Sequence, residues 1–161
     1  MSGPRVGVVM GSRSDEPIAA AAVRVLDRLG VPSETVVASA HRDPEEVRRY
    51  ARSAERRGLE VIVAVAGLAA ALPGVLASHT LLPVIGVPAP AGPLKGMDAL
   101  LSMTQMPPGV PVGTVGIGEA GGTNGALLAA RMLARRDAAL KRRLRRHMDG
   151  LRTKNGKDSK G

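Results

Sequence analysis

The stretch VGVVMGSRSD at residues 6–15 decides the fold, because a short apolar run ends abruptly in glycine, hydroxyl and charged residues. The run Val6–Met10 has the length and composition of a strand that is buried on both faces. Apolar residues at helical spacing follow it, up to a stop at Gly30: Ile18, Ala22, Val25, Leu26 and Leu29. A buried strand that leads through a polar loop into a helix is the first half of a β-α-β unit.

The same alternation recurs along the chain. It predicts further strands at 35–38, 60–66, 82–87 and 112–117, and helices at 15–29, 43–57, 72–78, 98–103, 124–134 and 138–151. Apolar strands that alternate with helices indicate an α/β fold with a central parallel sheet covered on both faces. We therefore expect a single α/β domain over residues 1–151, including the C-terminal helices, followed by a basic, disordered tail at 152–161.

Composition narrows the class of protein further. Tyr50 is the only aromatic residue, so the core must be built from small aliphatic side chains, and burial by subunit association would add stability. Cysteine is absent, which excludes disulfides and thiolate metal sites. Neither a signal peptide nor an apolar run of the roughly 18 residues that a membrane span needs is found, so we expect a cytoplasmic protein without a membrane partner.

The net charge of +9 belongs to the C-terminal segment. Residues 131–161 hold twelve Lys/Arg and three Asp/Glu, whereas the first 130 residues hold eleven of each sign. Such a segment is either a nucleic-acid arm or a solvated helix with a frayed end, and we favour the solvated helix, without a nucleic-acid partner.

The loop after the first predicted strand has the residues of an anion site. Gly11, Ser12 and Ser14 offer a tight turn, hydroxyls and backbone N–H groups at a helix N-terminus. Asp15 would accept hydrogen bonds from ribose hydroxyls. The alternative interpretation is an ordinary helix start capped by serine and aspartate.

The loop after the second predicted strand reads Ser39-Ala40-His41-Arg42. The carboxyl ends of parallel strands share one edge of the sheet, so His41 would lie beside the first loop. Imidazole carries protons near neutral pH, and the Arg42 guanidinium would bind a phosphate bidentately. A surface histidine without function is the alternative, as we infer for His79 and His147.

Six motifs carry a resemblance to a known family: MGSRSD, SAHRDP, ALPG, LPVIGVP, QMPPGVPVGTV and the helix GxxNxALLAARML. Over residues 6–134 they resemble, in order and spacing, the aminoimidazole ribonucleotide mutase/carboxylase family of purine biosynthesis. The resemblance implies a flavodoxin-like three-layer sandwich, usually a homo-octamer, and a reaction that needs no metal, biotin or ATP.

The resemblance also implies the chemistry and the site. The mutase class moves a carboxylate from N5 of carboxyaminoimidazole ribonucleotide to ring carbon C4, and the sister class carboxylates the ring with CO2, so CO2 is a bound intermediate or a substrate. Ser12, Ser14 and Arg42 would hold the phosphate, Asp15 the ribose, and His41 would handle the C4 proton. The predicted substrate-binding set is Gly11, Ser12, Ser14, Asp15, Ser39, Ala40, Arg42, Gly67, Leu68, Ala71, Leu72 and Lys95.

Two ligand-facing segments depart from the family pattern. The mutase motif GGAAHLPG reads GLAAALPG here, with Leu68 for glycine and Ala71 for histidine, and the lid loop reads APAGPLKG, gaining Lys95. We expect a narrower, more apolar pocket and weak or absent mutase activity compared with an ordinary member, while aminoimidazole-like ligands still bind. The alternatives are a specialised relative that carboxylates or decarboxylates another nucleotide-like compound, and a non-catalytic nucleotide- or RNA-binding module.

Overall fold

A computed structural model describes residues 3–158 of the chain, with side chains up to residue 152. Its centre is a five-stranded parallel sheet in the order β2-β1-β3-β4-β5. The strands are β1 Val6–Met10, β2 Ser33–Val37, β3 Val61–Ala66, β4 Val84–Pro88 and β5 Gly113–Thr114. This strand order confirms the predicted flavodoxin-like α/β fold.

Six helices cover the two faces of the sheet: α1 Glu16–Arg28, α2 Pro44–Ala54, α3 Leu72–Ala77, α4 Met97–Thr104, α5 Gly118–Leu133 and α6 Ala138–Asp158. Neighbouring strand residues alternate between two cores, because successive side chains point to opposite faces. Val8 packs in the core formed with α1, α5 and α6, whereas Val9 packs in the core formed with α2, α3 and α4. The central strands β1, β3 and β4 are therefore buried on both sides.

Small residues let α1 and α5 approach closely. A β-carbon on Gly122 would overlap the backbone carbonyl oxygen of Ile18 in α1, and one on Gly121 would overlap the carbonyl oxygen of Gly116. Ala126, Ala129 and Ala130 continue the same buried face of α5. Close backbone packing thus replaces the large side chains that the composition lacks.

Tyr50, the one aromatic side chain of the chain, lies on the α2 side of the sheet. Its hydroxyl donates a hydrogen bond to Glu34 Oε1 at 2.8 Å, and the Arg57 guanidinium carbon lies 4.7 Å from the ring centroid. Arg57 also pairs with Glu34 at 2.6 Å. Burial, reinforced by the neighbouring Glu34 carboxylate, raises the pKa of Tyr50 far above its usual value, so the phenol stays protonated.

The structure shifts several predicted boundaries. The second strand is Ser33–Val37 rather than 35–38, and the fifth is reduced to Gly113–Thr114 from the predicted 112–117. Both are edge strands and partly exposed, so burial does not mark their ends in the sequence. Helix α5 begins at Gly118, six residues before the predicted start, because packing against α1 offsets the poor helix propensity of its glycines.

Helix α6 is fixed to the rest of the domain at its beginning. Arg5 bridges Glu60 at 2.6 Å and Asp137 at 2.9 Å, and Arg143 Nε donates to the carbonyl oxygen of Leu29 at 2.6 Å. The helix continues to Asp158, past the boundary at 151 where the sequence places the tail. Residues 159–161 of that predicted tail lie outside the described residues. Among the residues described, none of the helices combines the length and apolarity that crossing a bilayer requires.

Candidate active site

A cavity of about 290 Å³ lies at the carboxyl ends of β1 and β3. The chain reverses its direction of progress across the sheet between these two strands, and such switch points are where open α/β sheets bind ligands. Loops from four strands meet there. The lining residues are Gly11, Ser12, Ser14, Asp15, Ser39, Ala40, His41, Arg42, Ala66, Gly67, Leu68, Ala70, Ala71, Leu72 and Ala91.

The structure brings His41 and eleven of the twelve predicted substrate-binding residues to this cavity. Lys95 differs: it is exposed in the loop after β4 and is not among the lining residues. Three lining residues were missed, Ala66, Ala70 and Ala91, because a small apolar side chain carries no chemical signal. Their position at or shortly after the end of β3 or β4 is the sequence feature that indicates a place beside the cavity.

The loop after β1 is organised by its own hydrogen bonds. Ser12 N–H donates to Asp15 Oδ2 at 3.1 Å, while Ser12 Oγ accepts from Ser14 N–H at 3.3 Å and lies 3.0 Å from Ser14 Oγ. These bonds form a capping box around a 3-10 turn, Arg13–Asp15, which precedes α1. The capped helix start is therefore real, and the same hydroxyls and backbone groups face the cavity.

Asp15 is the buried charged side chain of the described part of the chain, with 6% of its surface exposed. Burial raises the pKa of its carboxyl above the ordinary value, and the hydrogen bonds from the Ser12 N–H and the Ser14 side chain oppose this rise. A carboxylate held this way has acceptor capacity for hydroxyl groups of a ligand.

Arg42 joins the loop after β2 to the loop after β1. Its Nε donates to Ser39 Oγ at 3.2 Å and its Nη2 to the carbonyl oxygen of Gly11 at 3.4 Å. Asp43 fixes the following turn, because its carboxylate accepts a hydrogen bond from Glu46 N–H at 2.9 Å and caps α2. The exposed His41 imidazole and the Arg42 guanidinium are thereby presented side by side to the cavity.

The opposite wall is apolar. It consists of the β3–α3 loop, where Leu68 and Ala70 have left-handed backbone conformations with φ of 55° and 36°, and of Ala91 from the loop after β4. The cavity therefore has a polar half with a cation, a carboxylate and an imidazole, and an apolar half lined by small aliphatic side chains.

This fold and cavity define a flavodoxin-like α/β protein with a candidate ligand site at the β1/β3 switch point. The family model described as "AIR carboxylase" matches residues 5–154. The chain belongs to this family, as the sequence motifs predicted, and is an enzyme of the mutase/carboxylase type.

Named relatives agree with this assignment. The chain is 52% identical over 151 residues to the N5-carboxyaminoimidazole ribonucleotide mutase of Pyrococcus horikoshii, covering 94% of this chain and 84% of the relative. It is 55% identical over 148 residues to the mutase of the same name from Mycobacterium tuberculosis strain H37Rv, covering 92% and 84%. The crystal structure of Treponema denticola PurE superposes with a TM-score of 0.87 at 27% identity, over 98% of this chain and 97% of that chain.

Proposed function

We propose that this enzyme converts N5-carboxyaminoimidazole ribonucleotide into the isomer carboxylated at C4, a step of purine biosynthesis. The observation that carries the proposal is the meeting of His41, Arg42 and the Ser12–Asp15 loop in one cavity, in a chain 52% identical to a named mutase. That cavity supplies a phosphate-binding group, a hydroxyl acceptor and a proton carrier side by side.

The polar half of the cavity suits the ribose phosphate. Arg42 offers charge-assisted donors, and Ser12 and Ser14 add hydroxyls at the start of a helix whose N-terminus favours an anion. Asp15, at the end of the same turn, also lines the cavity, and its carboxylate would accept hydrogen bonds from the ribose hydroxyls. With the ribose phosphate bound in this way, the imidazole ring of the substrate would point toward the apolar half.

His41 is the group we assign to proton transfer. As the N5–carboxylate bond breaks, CO2 forms and the amine nitrogen gains a proton; as C4 then bonds to the CO2 carbon, C4 loses a proton. The two proton transfers cancel, so a single imidazole is sufficient to deliver one proton and to take one back. On this account the reaction does not require a second histidine at position 71, where this chain has alanine.

The apolar half of the cavity would retain the CO2. Leu68, Ala70, Ala71 and Leu72 line it without a charged group, and Ala91 adds to this wall from the loop after β4. CO2 released there would meet no charged side chain of this wall. While the loop after β4 covers the cavity, it would also have little access to bulk water. Recombination at C4 is then favoured over escape.

Isomerisation of N5-carboxyaminoimidazole ribonucleotide tests the proposal. We expect the C4-carboxylated product to appear in an enzyme-dependent manner, at a rate below the roughly 10 s⁻¹ typical of enzymes, because Ala71 replaces the second histidine of the family pattern and Leu68 adds bulk beside it. The M. tuberculosis mutase, assayed in parallel, and a blank without enzyme are the controls. A folded protein that binds the ribonucleotide but forms no product would contradict the proposal and favour a specialised relative, an alternative that the named relatives do not support.

We further propose that the enzyme works as a homo-oligomer in the cytoplasm, an octamer if it follows its family. Leu94, Met97 and Leu101 lie along one side of the loop after β4 and of α4, each at least half exposed, and would be buried by a second copy of the chain. Light scattering at micromolar concentration should give a mass several-fold above that of one chain. A monomer mass would overturn this part of the proposal.

A further inference from the structure

We propose that Leu68 is a positioning residue that holds the lid, residues 89–96, closed over the cavity. The effect of Leu68 on product yield rests on the proposed isomerisation, whereas its contact with the lid is seen directly in the structure. Contacts of this kind join the lid to the β3–α3 loop on one side and to the start of α5 on the other.

Two consecutive residues of the β3–α3 loop touch the lid. Leu68 Cδ2 lies so near the Gly92 backbone that a β-carbon on Gly92 would come within 2.7 Å of it. A β-carbon on Gly67 would come within 3.0 Å of the Ala91 β-carbon. The leucine methyl group and the lid backbone are therefore in direct contact across the mouth of the cavity, which both Leu68 and Ala91 line.

Within one chain, Leu68 and the adjoining Gly67 supply the side-chain and backbone contacts to the middle of the lid, because the hydrogen bonds made there are local. In the described chain, the N–H groups of Ala91 and Lys95 donate to carbonyl oxygens within the lid itself, those of Ala89 and Gly92, and the N–H of Met97 at the start of α4 donates to that of Leu94. The lid is anchored at its beginning, where Ala89 N–H donates to the Ala66 carbonyl oxygen at 2.9 Å, and at its end. There Gly96 fits closely against Ile117, since a β-carbon on Gly96 would come within 3.0 Å of Ile117 Cγ2.

The backbone conformation at position 68 gives no reason for a leucine there. Its φ of 55° is a left-handed conformation that glycine adopts without steric cost and that leucine rarely adopts. The side chain is also 53% exposed, so it contributes little to the core. Its contact with Gly92 is the feature that glycine at this position would lack.

A lid held in this way controls the fate of the CO2. When the lid stays closed, CO2 released from N5 remains beside C4. When the lid is loosened, CO2 escapes to solvent and leaves aminoimidazole ribonucleotide as the end product. Leu68 would then set how much of the consumed substrate is converted to the C4-carboxylated isomer.

Two substitutions separate this role from a general loss of structure. Leu68→Gly suits the backbone and removes the side chain, whereas Leu68→Met keeps an apolar side chain that can still reach Gly92. In Leu68→Gly we expect hydrogen exchange of the Ala91 and Lys95 amides, both hydrogen-bonded within the lid, to quicken at least about tenfold, and the yield of C4-carboxylated product per substrate consumed to fall. In Leu68→Met we expect both the amide exchange rates and the product yield to stay close to those of the unsubstituted protein.

Gly92→Ala probes the same contact from the lid. Gly92 has a left-handed φ of 67°, so alanine there strains the lid backbone in either background, whereas its methyl group meets Leu68 Cδ2 only where the leucine is present. We therefore expect faster hydrogen exchange of the lid amides in the otherwise unchanged protein and a smaller, residual effect in the Leu68→Gly background. Lid exchange that is unchanged in Leu68→Gly, or effects of the two substitutions that simply add, would overturn the proposal. Lid exchange is measured without substrate, so a failure of the proposed isomerisation would be seen separately, as absence of product from the unsubstituted enzyme.

Discussion

Replacing His41 by asparagine is expected to slow isomerisation by at least about a hundredfold while leaving ribonucleotide affinity nearly unchanged. The amide preserves polarity and approximate size, but it cannot donate and recover a proton as the N5–carboxylate bond breaks and the C4–carboxylate bond forms. Steady-state rates at saturating substrate, with affinity from calorimetry, measure the two effects separately.

His79→Asn is the matched control for this experiment. His79 lies beside Ala51, Thr80 and Gly109 in a separate cavity, and none of those residues lines the candidate site. We expect its substitution to leave the rate within about twofold of the original, as is usual for a change outside the site. A His41→Asn enzyme as fast as the His79→Asn enzyme would exclude His41 from proton transfer.

Replacing Arg42 by alanine is expected to weaken ribonucleotide binding about ten- to a hundredfold, because a hydrogen bond to a charged group contributes about 1.5–3 kcal/mol. Calorimetry with aminoimidazole ribonucleotide measures the loss. The corresponding nucleoside, which lacks the phosphate, should bind both proteins equally if the guanidinium acts on the phosphate.

Arg48→Ala is the control for a general effect of removing a cation near the site. Arg48 lies on α2, beyond Arg42 in the chain, and pairs with Glu45 at 2.7 Å on the exposed side of the helix. Such a surface pair contributes little, so affinity should stay close to that of the unsubstituted enzyme. Equal affinity in the Arg42→Ala and Arg48→Ala proteins would remove Arg42 from the phosphate site.

The sequence predicted those parts of the fold that burial marks. Strands β1, β3 and β4 are apolar runs buried from end to end, and their predicted positions match the structure within two residues. The edge strands β2 and β5 are partly exposed, and their observed ends differ from the predicted ones. Neither a run of apolar residues nor turn residues mark those ends in the sequence. The predicted start of α5 at 124 is six residues late, because the preceding glycines are explained only by close tertiary contacts, those of Gly121 with Gly116 and of Gly122 with Ile18 in α1.

The candidate site was predictable to the extent that strand ends determine it. In a parallel sheet, the residues after β1, β2 and β3 share one edge whatever the details of their loops, so Ser12, His41 and Gly67 were brought together as expected. The lid was less predictable. A loop sequence does not state which of its residues faces inward, and here Ala91 rather than Lys95 lines the cavity.

Tyr50 gives this enzyme an unusual optical property. As the chain's only aromatic residue, it supplies all of the tyrosine emission and the entire aromatic circular dichroism from one known place, between Glu34 and Arg57 beside β2 and α2. Spectra in the near ultraviolet therefore report on that layer alone, while amide spectra report on every helix. If the layer containing α2 loosens before the α1–α5 layer during unfolding, the two signals will be lost in succession without any label having been attached.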